Sequence, residues 1–209
     1  MVQGFVVLIT ILLEEVLIKN ICVYASSSND LAEIYYKTAA ELGAAIGSNG
    51  FNIVYGGSRR GLMYACAGAV KNAGGKVIGI MPEIFANPKF ANPEDCDEFY
   101  VTSGMRERKA LLDEKSDAVI ALAGGFGTLE ELSEMIVQKQ LGYNTKPIVL
   151  LNTNGFYDNL VKFFEDIIKE KFANTESREL YYIASTPEEA VEFIKNYIPE
   201  EAVSKFLIR

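Results

Sequence analysis

The sequence contains no histidine. That absence removes Ser-His-Asp and Cys-His triads and any metal site built on imidazole. Acid–base chemistry near neutral pH is left to carboxylates, lysine, tyrosine, cysteine or bound water. Cysteine is scarce as well: Cys22, Cys66 and Cys96 lie far apart and form no C-x-x-C pair. Neither a disulfide framework nor a zinc site is expected, no metal is assigned, and the usage fits a reducing, cytoplasmic setting. Positive charge is in deficit, with 20 Lys and Arg against 28 Asp and Glu and a net charge of −8. An acidic chain repels nucleic acid and anionic membranes, so no nucleic-acid partner and no membrane partner are expected. A small anionic ligand stays compatible, because one pocket can be positive inside an acidic protein.

A membrane-spanning run is also missing. Residues 2–13, VQGFVVLITILL, are strongly apolar, but they are too short to span a bilayer and lack the positive flank of a signal peptide, and Glu14 and Glu15 follow. Two readings stay open: an extra strand or helix packed on the core, or translated upstream sequence with the natural start near Val16–Ile18. No repeat, low-complexity tract or linker interrupts the chain. Its 209 residues, 49% hydrophobic and 23% charged, suit one globular domain with a real core. The expected organisation is an apolar extension over 1–19, a single domain over 20–199 and a tail over 200–209.

What is present is an alternation of short apolar runs with helical patterns. Strands are predicted over 20–25, 51–55, 76–80, 99–102, 117–123, 147–151 and, more weakly, 180–184. Helices are predicted over 30–50, 61–75, 103–116, 128–141, 155–171 and 187–197. The small residues of 61–75 predict close packing on the sheet. Two Asn-Pro pairs and several acids make 83–98 a loop or lid. Continuous apolar strands alternating with helices imply an α/β fold, a parallel sheet covered on both faces. Ligands of such sheets bind beyond the strand C-termini, at the switch point. Three loops fall there: 25-ASSSN-29, 56-GGSRRG-61 and 123-AGGFGT-128.

Glycines at a strand–helix junction let the main chain approach a ligand. The helix N-terminus that follows offers unpaired N–H groups and partial positive charge. GGSRRG adds Ser58, Arg59 and Arg60 to a second such junction. A tight turn uses glycine for geometry alone, but two such turns on one sheet edge favour a bound phosphate. The acids of Thr128-Leu-Glu-Glu131 read as a capping box, with Thr128 as N-cap and Glu131 at N3. The same device recurs at Thr186-Pro-Glu-Glu189 without a glycine loop, so capping alone explains the pattern. Location at the ligand edge makes Glu131 a candidate for chemistry. Arg106, Arg108 and Lys109 sit in the first turns of their helix, where cations oppose the helix dipole. Their expected purpose is an anionic substrate or an ion pair with Glu107, and the alternative is a solvated face.

The set YGGS..GLM, then M-x-x-R-K, then GG-x-GT-x-x-E resembles the LONELY GUY (LOG) family, long mislabelled as lysine decarboxylases. The resemblance runs from Asn20 to about Tyr197. It implies a Rossmann-like, doubly wound αβα sandwich that forms a homodimer. It also implies hydrolysis of the N-glycosidic bond of a nucleoside 5′-monophosphate, such as AMP or a prenylated adenine ribotide, with no cofactor. By the same resemblance Arg108 and Glu131 are the catalytic pair, and Gly124, Gly125, Gly127 and Thr128 hold the phosphate. Gly56, Gly57, Ser58, Met105, Lys109 and Ser27 are the other pocket positions. The chain departs from the family pattern at Ala123 for proline, at Arg106 for histidine, and at Ser26, Ser58 and Tyr64 for glycine. The bulky Tyr64 is expected near the ligand edge, where it bears on base specificity. A non-catalytic nucleotide carrier or sensor is the alternative. A pyridoxal-dependent decarboxylase lacks a lysine that stands out. A dinucleotide dehydrogenase lacks G-x-G-x-x-G after the first strand.

Overall fold

A computed structural model describes residues 18–199. The expectations on 1–17 and 200–209 lie outside the described residues. Seven strands form one sheet: β1 (Asn20–Tyr24), β2 (Asn52–Tyr55), β3 (Val77–Pro82), β4 (Glu98–Thr102), β5 (Ala118–Ala121), β6 (Ile148–Leu151) and β7 (Tyr182–Ala184). Their order is β4-β3-β2-β1-β5-β6-β7, and every neighbouring pair is parallel. Six helices cover it: α1 (Glu33–Ser48), α2 (Gly61–Asn72), α3 (Met105–Glu114), α4 (Phe126–Gln140), α5 (Asp158–Lys169) and α6 (Pro187–Lys195). Among the described residues no helix is long and apolar enough to cross a membrane.

The strands read as unbroken apolar runs because both of their faces are buried. Ile21 and Val23 of β1 pack into one core with Leu42 and Ile46 of α1, Val70 of α2 and Ile194 of α6. The intervening Cys22 and Tyr24 pack into a second core with Leu112 of α3 and with Leu132 and Met135 of α4. Period-2 side chains therefore feed two apolar layers, which gives the doubly wound αβα sandwich.

The small residues of α2 serve more than the sheet. A Cβ at Gly43 of α1 would lie 2.3 Å from the Cys66 carbonyl oxygen of α2, and one at Gly47 would lie 2.7 Å from that of Val70. Glycine in α1 thus lets two helix backbones touch. The lid segment between β3 and β4 carries only 3₁₀ turns, at Glu83–Phe85 and Pro93–Asp95.

The chain runs outward from β1 to β4 and then returns to place β5 on the other side of β1. The crevice between β1 and β5 is the switch point, and the loops after β1, β2 and β5 share that edge. They are tied together by backbone hydrogen bonds. Ser26 N–H donates to Ala123 O at 3.3 Å, and Leu62 N–H donates to Ser26 O at 2.9 Å. Gly61 adopts φ +61, and a Cβ there would fall 2.5 Å from Ser26 O, so α2 starts hard against the serine loop.

Candidate active site at the switch point

The capping reading of the glycine loop is overturned by the structure. Helix α4 begins at Phe126, two residues before the expected start, and its N-cap is Gly125. Glycine has no side chain to accept from the first-turn N–H groups, so they lack a side-chain cap at this edge. Thr128 is the third helical residue and is buried. A Cβ on Gly124 would lie 2.1 Å from Thr128 Oγ1, so Gly124 makes room for that hydroxyl. The second copy of the motif does cap: Thr186 Oγ1 accepts from Glu189 N–H at 3.2 Å, and the Glu189 carboxylate accepts from Ser185 N–H at 2.7 Å. The same four letters hence do different work. A glycine three residues upstream of the threonine moves the helix start and frees Glu131.

Glu131 points inward from α4 and meets Arg108 from α3. Arg108 Nη1 donates to Glu131 Oε1 at 2.7 Å, and Nε donates to the Ile80 carbonyl oxygen at 3.2 Å. Both residues are buried, at 7% and 9% exposure. Gly56 is required beneath the guanidinium, because a Cβ there would fall 2.2 Å from Arg108 Nη2. Burial pushes the Glu131 carboxyl above its ordinary range, and the attraction of Arg108 opposes that shift only in part.

Of the other bases of α3, Lys109 has partners of its own. Lys109 clamps α3 to α4 through Glu130 and, at 2.9 Å, Glu134. The hydrogen bonds that Lys109 donates to these two acids raise its pKa. The expected pairing with Glu107 is not what the structure has. Glu107 accepts the Ser103 N–H at 2.8 Å and the Ser103 hydroxyl at 2.6 Å, which closes the start of α3. Arg106 is exposed.

The Arg108–Glu131 pair lines a cavity of about 510 Å³. Of the sequence-derived positions, Ser27, Gly56, Ser58, Met105, Gly125, Gly127 and Thr128 also line it. Gly57, Gly124 and Lys109 do not. Gly57 turns the chain at φ +68 over Phe99, Gly124 seats Thr128, and Lys109 staples two helices. Tyr64, expected near the ligand edge, is outside the lining too; it lies in a surface groove with Tyr36 and Lys37.

Sequence reasoning missed the apolar wall of Met63, Met81, Pro82, Phe85 and Phe90, and it did not single out Arg60 as a lining residue. The lid segment was legible as a loop, but nothing in its letters marked the inward side chains. Phe85 and Phe90 meet edge to face at 5.5 Å. The cavity thus pairs an apolar wall with a polar rim of hydroxyls and backbone N–H groups and one buried acid–base pair. Among the described residues no cluster of His, Cys, Asp and Glu could hold a metal.

Comparison with known proteins bears on the family of the chain. A family model described as "Possible lysine decarboxylase" matches residues 63–194. The chain is 40% identical to the probable cytokinin riboside 5′-monophosphate phosphoribohydrolase LOGL2 of Oryza sativa subsp. japonica, over 90% of this chain and 77% of that protein. It is 39% identical to the cytokinin riboside 5′-monophosphate phosphoribohydrolase LOG1 of Arabidopsis thaliana, over 90% and 88%. Among solved structures, the molybdenum cofactor carrier protein of Chlamydomonas reinhardtii superposes with a TM-score of 0.66 at 26% identity, over 86% of this chain and 97% of that one. Similarity at this level over 90% of the chain shows that the chain belongs to the LONELY GUY (LOG) family of phosphoribohydrolases, the family also described as possible lysine decarboxylases.

Proposed function

We propose that this protein hydrolyses the N-glycosidic bond of a nucleoside 5′-monophosphate and releases the free base and ribose 5-phosphate. The observation that carries the reading is the buried Arg108–Glu131 pair, 2.7 Å apart, in a cavity whose rim includes the uncapped start of α4. Relatives named as cytokinin riboside 5′-monophosphate phosphoribohydrolases at 39–40% identity support it.

Glycosidic cleavage passes through a transition state that is positive at the sugar. A carboxylate facing the anomeric carbon stabilises that charge and takes a proton from the attacking water. Glu131 fills that role. Water adds to the anomeric carbon, the bond to the base nitrogen breaks, and the base leaves with a proton. Arg108 offsets part of the burial penalty on the ionised form of Glu131 and holds the carboxylate in place. Gly125, Gly127 and Thr128 hold the phosphate at a distance from the reacting bond, so binding energy there positions the ribose. The apolar wall of Met63, Met81, Phe85 and Phe90 suits the flat face of a base. Cleavage requires no cofactor.

A homodimer is part of the reading. Phe126 (91% exposed), Leu129 and Val137 on α4, with Met105 on α3, expose apolar surface beside the cavity, which a second copy would cover. The acidic, cysteine-poor composition supports a cytoplasmic setting.

The test is chromatography of purified protein incubated with a panel of ribonucleoside monophosphates. Free base appearing with wild type and not with Glu131→Gln supports the reading. A second reading, a nucleotide carrier without turnover, draws on the likeness to the molybdenum cofactor carrier protein. Intact nucleotide recovered after long incubation selects that one.

A further inference from the structure

The charge balance of the cavity assigns a role to one more residue. Three ionisable side chains line it: Arg60, Arg108 and Glu131. Arg108 and Glu131 satisfy each other, and Arg108 also donates to the Ile80 carbonyl. Arg60 is left as the uncompensated charge. In the sequence Arg59 and Arg60 are equivalent neighbours; the structure separates them. Arg59 turns away from the cavity, its Nε 3.2 Å from an Asp95 carboxylate oxygen, and its backbone N–H donates to Phe90 O at 2.8 Å. Arg60 is half-buried and forms no ion pair among the described residues. Its guanidinium lies 6.0 Å from the centre of the Phe90 ring.

Arg60 lies beside the serine loop that, with the glycine loop, forms the polar rim of the cavity. The residue after it, Gly61, is pressed against the serine loop 26–28. Ser26 is in turn hydrogen-bonded to Ala123, next to the glycine loop. Ser26, Ser27 and Ser28 line the cavity along with Gly125, Gly127 and Thr128. Among the described residues Arg60 is the one cation lining the cavity that has no acidic partner, so a ligand entering there meets a positive charge that no carboxylate offsets.

We infer that Arg60 is a specificity-determining residue that grips the ligand's 5′-phosphate and separates ribotide from riboside. This inference rests on the phosphoribohydrolase reading for its substrate, and it concerns binding, not bond cleavage. The planar guanidinium donates two parallel N–H bonds to a phosphate, a match lysine does not reproduce. Facing Phe90 keeps the fork oriented before the ligand arrives.

The test compares Arg60→Ala and Arg60→Lys with wild type, using AMP and adenosine. Thermal melts confirm that each variant folds. Arg178→Ala, which removes a remote cation paired with Glu165, controls for net charge. The expected result for Arg60→Ala is a KM for AMP raised about tenfold, with kcat little changed and adenosine handled as by wild type. Arg60→Lys falls between. Calorimetry with ribose 5-phosphate gives a readout that does not need turnover, and its Kd rises by the same factor. If wild type binds AMP but does not cleave it, the hydrolase reading fails while calorimetry still decides on Arg60. An unchanged KM and Kd in Arg60→Ala, or an equal loss toward adenosine and AMP, overturns the inference.

Discussion

Removing Arg108 and neutralising Glu131 are not equivalent perturbations, although the two residues form one pair. In Arg108→Ala, Glu131 loses the hydrogen bond that the structure gives its carboxylate and stays buried. Breaking a buried pair from one side costs about 3–5 kcal/mol. The acid escapes part of that by taking a proton, because burial already holds its pKa above the ordinary range. The lower end, about 3 kcal/mol, is therefore expected. At about 2–4 °C per kcal/mol for a chain of this size, Arg108→Ala melts about 6–12 °C below wild type at neutral pH. In Glu131→Gln, by contrast, Arg108 keeps the Ile80 carbonyl and gains the amide oxygen at residue 131.

The sign of the Glu131 shift reinforces this asymmetry. A carboxyl with a raised folded-state pKa contributes stability below its unfolded value and loses it as pH rises through the folded one. The ionised Glu131 is thus a liability at neutral pH, and the Gln variant melts close to wild type or above it. Circular-dichroism melts at several pH values from neutral to acid read both effects. The deficit of Arg108→Ala shrinks as pH falls through the carboxylate range, since protonation removes the stranded charge in the variant. Equal losses in the two variants, or a wild-type melt for Arg108→Ala, refute the reasoning.

Glu131→Gln lowers turnover of AMP by about 10²–10⁴-fold while AMP binding by calorimetry persists. The acid limb of the wild-type pH–rate profile lies above the ordinary carboxylate range, because activity needs the ionised form of an acid that burial keeps protonated longer; a limb at or below that range refutes the assignment. Thr186→Ala melts lower by about 1 kcal/mol of lost capping, while Thr128→Ala, which removes no N-cap, raises KM for AMP instead. Gly56→Ala drives a methyl against the Arg108 guanidinium and abolishes turnover in a protein that still shows a cooperative melt. A wild-type kcat for Gly56→Ala would falsify the placement of Arg108.

The strands were legible because burial on both faces leaves little room for polar residues, and β1, β2 and β6 fall within a residue of the expected bounds. The three-loop edge was legible for the same reason: glycine clusters follow β2 and β5. The start of α4 was misread because a capping box is a local signal, and it cannot announce that Gly125 begins the helix first. The direction of a long side chain was beyond the letters. Arg59 and Arg60 differ only in what folds above them, as do Lys109, which binds outward acids, and Arg108, which turns in. Lid residues Phe85 and Phe90 lie on short turns whose inward faces obey no period.

Arg108 and Glu131 ride on separate crossover units, and Lys109 pins those units together. Neither segment carries the chemistry alone. With α3 undocked, water reaches the acid and the base separately and the pair is gone. Chemistry that depends on the pair therefore requires both units to be docked, and undocking either one is enough to switch it off.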